Sequence, residues 1–434
     1  MDKLTEARNR INAVDAQMAP LFEERMRAVE DVIAYKIENG LPIFDAAREE
    51  AVITRGCERI ENEGYRPYYA DFLRDMMRVS KAYQQSLVSS CDAGTALQQI
   101  YVDLKPKGYT VYMGRGDFSR LSEFADVNCK VLILTDDGVP AQYAEAVKKQ
   151  CPQSWIMTVA QGEGSKSFAT LEAVCARLLE LKFGRKDMLI AVGGGVIGDL
   201  GGFAASMYMR GIRFINMPTT VLSQVDSSIG GKTAINVNGV KNSVGAFYQP
   251  ELVVADPDVL KTLDKRQVGN GRVEALKAGL IADEKLFSLF EETDVYSRLD
   301  EIIYRSVVVK KNVVEQDEKE TGLRRILNFG HTIGHGVESV YGLSGLLHGE
   351  SVAVGMLPMI TDDILRERTR ACLKKIEVKP DLPYDADAVF EAMTRDKKAH
   401  GDSISVICVE KAGGAQICEV KTESLKSLLK GETQ

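Results

Sequence analysis

Residues 188–199 read MLIAVGGGVIGD, an apolar run that passes straight into a glycine-rich turn. The run predicts a strand, and Gly193-x-Gly195-x-x-Gly198 allows a tight turn into a helix with close approach of a ligand or a neighbouring strand. Alone the motif is weak, because glycine turns also serve plain helix–sheet packing. It also stands roughly 95 residues into its unit, and no acidic residue closes a following strand at the usual ribose position, so a standard dinucleotide fold is not expected.

The surrounding texture fixes the fold class. KVLILTD at 130–136, SWIMTV at 154–159 and RFINMP at 213–218 are further strand-like runs. Helical segments separate the first three strands, as a parallel α/β unit requires. From about 266 helical patterns dominate, with ISVICVE at 404–410 as a late strand. The first ninety residues differ. Ile11, Val14, Met18, Leu21, Phe22, Met26, Val29, Val32 and Ile33 recur at helical spacing over 4–38, and Asn39-Gly40 stops that helix. Pro20 removes an amide donor and predicts a kink. A second helix starts near Asp45, which can cap the amides of AREE, and a third covers 67–88. The chain therefore reads as an all-α unit (1–90), an α/β nucleotide-binding unit (97–265) and a mainly helical metal-binding unit (266–434). The long first helix has too little chain around it to cover its apolar face, so a homodimer is expected.

The 434 residues are 45% apolar and 27% charged, with a net charge of −7, which argues against nonspecific nucleic-acid binding. No apolar run is long enough to span a bilayer, and MDKLTEARNR lacks the core of a secretion signal. Eight scattered cysteines form no CxxC pair. They read as reduced thiols of a cytoplasmic protein.

In the helical unit, Arg25 and Lys36 stand eleven apart, close to three turns, and share a face. Ser80 and Gln84, four apart, also share one. Arg8 lies about 100° around the helix from Arg25 and points to another pocket. Together with GLPIFDAAREE at 40–50 and SKAYQQ at 80–85, this set resembles the all-helical chorismate mutases over about residues 1–90. The resemblance implies rearrangement of chorismate to prephenate without covalent catalysis. Arg8 from the other subunit, Arg25 and Arg48 would hold carboxylates. Lys36 and Gln84 would face the ether oxygen, and Asp45, Glu49 and Ser80 would position substrate or cations.

The larger part carries TDD at 135–137, GEGSK at 162–166, YMRG at 208–211, PTTVLSQVDSSIGGKTAIN at 218–236 and VKNSVGAFYQP at 240–250. Farther on come VEALK at 273–277, NFGHTIGH at 328–335 and LLHGE at 346–350. His331 and His335 are four apart, so one helix face presents both. Two imidazoles and a carboxylate make a catalytic zinc set, but spacing alone does not choose the ligands.

This ordered series resembles 3-dehydroquinate synthase from about 100 to 425. The resemblance implies NAD used catalytically, with Asp136, Glu163, Lys166, Gly194, Gly195, Asp199, Thr219 and Thr220 at cofactor-binding positions and Lys232 and Lys241 nearby. Gly138 stands where family members often carry Asn. The resemblance assigns Glu274, His331 and His348 to Zn2+, with Co2+ a possible substitute, and His335 to substrate or proton transfer. It places Asp226, Lys232, Lys241, Asn242, Lys277, Lys310, Arg324, Asn328 and one of Lys397 and Lys398 in the substrate pocket, with Arg210 a phosphate contact across a dimer interface. His400 has no assigned role. The implied substrate is 3-deoxy-D-arabino-heptulosonate 7-phosphate. Oxidation of an alcohol acidifies the neighbouring C–H, phosphate leaves, the hydride returns, and ring opening and aldol closure give 3-dehydroquinate. Other sugar-phosphate cyclases share the glycine turn and metal set, but the cationic pattern favours dehydroquinate synthesis.

Overall fold

The computed structural model describes residues 3–38, 46–90, 98–292, 297–341, 345–394 and 403–430. Its contacts divide the chain into two bodies, Met1–Ile100 and Tyr101–Gln434.

The first body holds α1 (Lys3–Glu38), α2 (Ala46–Glu58) and α3 (Arg66–Ser90). α1 is helical throughout, with Pro20 inside it. Asn39, Gly40 and the expected cap Asp45 lie outside the described residues. Val29 and Ile33 of α1, Ile53 of α2, and Ala70, Leu73 and Met77 of α3 are buried. The remainder of α1 is different: Leu4, Ile11, Val14, Met18, Leu21 and Phe22 are 42–69% exposed. The apolar periodicity legible in the sequence is thus only partly covered within one chain.

The strand β1 (Gln98–Val102) spans the division, and the second body continues with β2 (Tyr109–Met113), then α4 (Leu121–Phe124), β3 (Lys130–Asp136), α5 (Ala141–Lys148), β4 (Gln153–Val159), α6 (Phe168–Glu180), β5 (Met188–Gly193), α7 (Gly195–Met207) and β6 (Arg213–Pro218). A hairpin of β7 (Lys232–Val237) and β8 (Val240–Phe247) precedes β9 (Leu252–Ala255). Among the described residues the main sheet runs β1-β2-β9-β6-β5-β3-β4, parallel from β2 to β4. Leu171, Val174 and Leu178 of α6 and Ile197, Leu200 and Phe203 of α7 pack with Leu132, Leu134, Leu189 and Ala191 of the sheet. β3 pairs with β4 on one side and β5 on the other. The strand order therefore reverses between β3 and β5, and a ligand crevice is expected outside their carboxyl ends. Asp136 ends β3, and Gly194 follows β5.

After β9 the chain turns helical: α8 (Lys265–Ala282), α9 (Glu284–Glu291), α10 (Leu299–Gln316), α11 (His331–Tyr341), α12 (His348–Met356), α13 (Asp363–Lys375), α14 (Ala386–Thr394) and α15 (Thr422–Leu429). β10 (Ser403–Lys411) and β11 (Gly414–Lys421) form an antiparallel hairpin. α8 is buried without a break from Gly269 to Ile281, so Glu274 and Lys277 are enclosed along with its apolar residues. Charged groups held there need partners or a ligand.

Candidate active sites

At the switch point, Asp136 accepts the Gly138 amide at 2.9 Å. Burial pushes its carboxyl above the usual range, partly opposed by the Gly138 and Val139 amides. A Cβ on residue 138 would stand 2.3 Å from the Gln161 carboxamide, so the space that a side chain at 138 would take is filled by Gln161. Gly194 caps α7 and Gly195 begins it. The Thr219 amide donates to the Gly193 carbonyl at 2.9 Å, which fixes Thr219 and Thr220 beside the turn. One helical turn into α7, Asp199 pairs with the buried Lys166 at 2.6 Å. Burial raises the Asp199 carboxyl, and Lys166 counters that shift. Lys166 also donates to Asn242 Oδ1. Asn236, a residue given no role from sequence, joins this group: its amide donates to Glu163 Oε2 at 2.8 Å and its Oδ1 accepts from the Asn242 N–H at 2.9 Å.

Next to these residues lie the pocket cations. Lys310 Nζ pairs with Asp226 Oδ1 at 2.6 Å. Burial alone would raise the Asp226 carboxyl, but Lys310 and Lys277 hold it well below the carboxylate range. Burial pulls the Lys310 ammonium down despite Asp226. Lys232 pairs with Glu320, which also accepts from Asn328 Nδ2 at 2.8 Å. Arg324 is buried, donating to the carbonyls of Glu318 at 2.5 Å and Gly230 at 3.2 Å, while its Nε has no hydrogen-bond partner. Gly230 has φ +96°, and a Cβ there would meet Arg324 Nη2 at 2.4 Å, which explains glycine in SSIGGK. The loop before Arg324 is pinned by Asp317, which accepts the amides of Thr321, Gly322 and Arg324 at 2.9, 2.7 and 3.0 Å. Arg210 is exposed beyond the far end of α7, roughly 20 Å along the helix from Gly195. Its own chain does not bring it into this cluster. Lys397, Lys398 and His400 lie outside the described residues.

Glu274, His331 and His348 each offer a ligand atom, all within 4.8 Å of one another. Three local features bring them together. Glu274 is held on the buried stretch of α8. Asn270, one turn earlier, accepts the Gly349 amide at 2.6 Å through Oδ1, and a Cβ on Gly349 would be 2.2 Å from the Asn270 carbonyl. His348 therefore begins α12 directly against α8. The Phe329 carbonyl lies 3.1 Å from His331 Nδ1. A carbonyl only accepts, so Nδ1 carries the proton and Nε2 is left as a lone pair. Glu274 Oε1 stands 3.9 Å from His331 Nε2 and 3.7 Å from His348 Nε2, too far for hydrogen bonds. Neither Glu274 oxygen has a hydrogen-bond partner, although Lys277 forms an ion pair with one of them. Ligands of a tetrahedral zinc with bonds near 2.0–2.1 Å are about 3.3 Å apart. The carboxylate, whose Oε1 has no partner, and the two imidazoles fit such an ion after each Glu274–histidine separation contracts by about half an ångström. Burial, then Lys277 and His348, hold His331 well below its usual pKa, which keeps it neutral. His335 is likewise lowered, chiefly by burial and then by His348. Burial acts to lower His348 too, but Glu338 and Glu274 raise it overall. His335, on the same face of α11, has its ring centroid 5.4 Å from that of His331.

In the first body, Arg25 is half-buried and donates to Ser80 Oγ, which in turn donates to the Met76 carbonyl at 2.9 Å. Burial lowers the Arg25 pKa. Gln84, one turn beyond Ser80, is buried with Oε1 lacking a partner. Lys36 is half-buried and Arg48 exposed; the Glu49 side chain lies outside the described residues. Arg8 is exposed, and seventeen residues of helix, about 25 Å, separate it from Arg25. It cannot join the Arg25 pocket of its own chain.

Comparison with known proteins gives a family for each part of the chain. The family model described as 3-dehydroquinate synthase N-terminal matches residues 156–270, 3-dehydroquinate synthase C-terminal matches 271–399, and Chorismate mutase type II matches 7–85. The 3-dehydroquinate synthase of Enterococcus faecalis is 43% identical over 322 residues, covering 70% of this chain and 89% of its own. That of Clostridium kluyveri is 38% identical over 353 residues, covering 77% and 98%. Among solved structures, 2-deoxy-scyllo-inosose synthase with carbaglucose-6-phosphate, NAD+ and Co2+ superposes with a TM-score of 0.69 at 26% identity, covering 77% of this chain and all of that one. The 2-epi-5-epi-valiolone synthase of Streptomyces hygroscopicus, with NAD+ and Zn2+ bound, gives 0.68 at 25%, covering 76% and 98%. The chain belongs to the 3-dehydroquinate synthase family and carries a type II chorismate mutase domain at its N-terminal end.

Proposed function

We propose a homodimeric, cytoplasmic, bifunctional enzyme of aromatic biosynthesis. Residues 1–90 convert chorismate to prephenate, and the 97–265 and 266–434 domains together convert 3-deoxy-D-arabino-heptulosonate 7-phosphate to 3-dehydroquinate and phosphate. The observation that carries the synthase reading is the buried Glu274 carboxylate, its Oε1 without a partner, facing two imidazoles beside a cluster of buried cations. The 38–43% identity to synthases, against 25–26% to the two other cyclases, favours dehydroquinate as the product. Free cysteines throughout the described residues support a reducing compartment, and no described helix is long and apolar enough to cross a membrane.

Glu274, His331 and His348 would hold zinc, with cobalt a possible substitute, and the switch-point residues Asp136, Gly194, Gly195, Asp199, Thr219 and Thr220 would hold NAD. When bound, the two supply a Lewis acid and reversible hydride chemistry. The chain's residues do the rest. Lys232, Lys310, Arg324 and Asn328 bind the carboxylate and phosphate, and Lys277 and Asn242 orient the hydroxyls. His335, held neutral, can accept a proton. Arg210 would act on the partner's substrate. In the mutase, Arg25 and Arg48 hold carboxylates, Lys36 and Gln84 stabilise the ether oxygen, and Arg8 enters from the second subunit. The exposed apolar stripe of α1 supports that dimer.

Metal stripping should abolish phosphate release and zinc should restore it; full turnover in metal-free protein would refute the synthase mechanism. His331→Ala should lose bound metal while folded His335→Ala keeps it. Equal metal loss in both would refute the ligand assignment.

A further inference from the structure

α11 presents His331, His335 and Glu338 at i, i+4 and i+7, so all three leave one face. Glu338 belongs to none of the motifs legible in the sequence. Its side chain is 13% exposed and its two oxygens serve different neighbours. Oε1 pairs with Lys241 Nζ at 2.6 Å, and Oε2 stands 3.9 Å from His348 Nδ1. The opposite edge of the same imidazole, Nε2, faces Glu274 at 3.7 Å. His348 thus lies between two carboxylates, one at the metal cluster and one behind it.

We propose that Glu338 is a positioning residue of the metal centre, and that Lys241 holds it in place. This rests on reading Glu274, His331 and His348 as the ligands. A carboxylate behind Nδ1 takes its proton as a hydrogen bond, fixes the tautomer, and directs the Nε2 lone pair at the metal. His331 has the Phe329 carbonyl at 3.1 Å for this purpose; Glu338 is the group behind His348 Nδ1, at 3.9 Å, and would close by about 1 Å to take that proton once the ligands draw in on zinc. His335, Glu338 and His348 could also be grouped as metal ligands in their own right. The Lys241 ammonium on Glu338 argues against that, since it puts a positive charge where a second cation would have to sit. Lys241 lies on β8 beside Asn242, the partner of Lys166. The link therefore ties the hairpin on the cofactor side to a metal ligand on α12.

The test measures zinc affinity of the full-length protein by competition with a chromogenic chelator, together with thermal unfolding of the metal-free form. Glu338→Gln should weaken zinc binding by about 10–100-fold, and Glu338→Asp should recover part of that loss. Lys241→Met should weaken zinc by a smaller factor although it touches no ligand. Metal-free unfolding should change little in each. If His348→Ala loses zinc while Glu338→Gln keeps wild-type affinity, the positioning role is overturned and the ligand assignment stands. If His348→Ala keeps wild-type affinity, the ligand assignment falls and this proposal with it. Zinc loss in Glu338→Gln matched by destabilisation of the metal-free protein would also overturn the proposal, because it would mark Glu338 as a packing group.

Discussion

Gly230→Ala should damage the synthase through Arg324. The backbone there has φ +96°, and the new Cβ would lie 2.4 Å from Arg324 Nη2 and 3.1 Å from Val314 Cγ2. Ordinary contact needs about 3.5 Å, so the guanidinium must retreat by about 1 Å. It has no room to do so freely, being buried and already held by the Glu318 carbonyl. The retreat breaks its bond to the Gly230 carbonyl and leaves a guanidinium whose Nε is already unpartnered with a further unmet donor. That loss costs about 1–3 kcal/mol and the left-handed backbone about 1–3 more, or roughly 2–6 kcal/mol together. If Arg324 holds substrate as proposed, its displacement by about 1 Å corresponds to about a hundredfold in rate. Phosphate-release kcat/KM and thermal unfolding measure the two effects. The mutase rate of the same sample is an internal control, because residues 1–100 form a separate body. Synthase kinetics within twofold of wild type, with unchanged unfolding, would refute the reasoning.

Arg25→Ala should cut the mutase rate by about a hundredfold, near 3 kcal/mol, with phosphate release intact; loss of synthase and survival of mutase would reverse the division of labour. Leu21→Glu puts a charge on the exposed α1 stripe and should shift residues 1–90 toward monomer in sedimentation with loss of mutase activity; an unchanged dimer would remove the stripe from the interface. The three amides on Asp317 outweigh its desolvation and hold its carboxyl at about 2, against an ordinary 3.8. Its contribution is therefore complete above about pH 4 and lost as pH falls through about 2. Asp317→Asn should flatten the pH dependence of unfolding in that window, and an unaltered slope would refute the assignment.

The sheet was legible where burial leaves a continuous apolar run: 130–136 and 213–218 are strands residue for residue. β7 and β8 were not, because their sequence mixes glycine, polar and apolar residues over a largely exposed hairpin. The helix of α1 was legible from its long apolar periodicity, which runs through Pro20. Motif residues such as Asp226, His331 and His348 could be proposed in advance because each sits in a distinctive local string, and the structure brings His331 and His348 together with Glu274. Glu320 and Glu338 could not, since an isolated Glu carries no local signal and its partners arrive from distant elements; Asn236 closes a quoted string, but its role shows only in its contacts with Glu163 and Asn242. The one clue available for Glu338 was its place seven residues after His331, on the same helical face.

The described site lysines already have counter-ions. Lys166, Lys232, Lys241, Lys277 and Lys310 are matched by Asp199, Glu320, Glu338, Glu274 and Asp226. A heptulosonate phosphate entering this pocket meets lysines that are already paired, and an anionic group that takes a lysine must trade places with its resident carboxylate; Arg324, held by carbonyls, is the described site cation without one. The long-range pull on the substrate is then weak, its capture depends little on ionic strength, and inorganic anions that cannot complete the whole exchange gain little by entering.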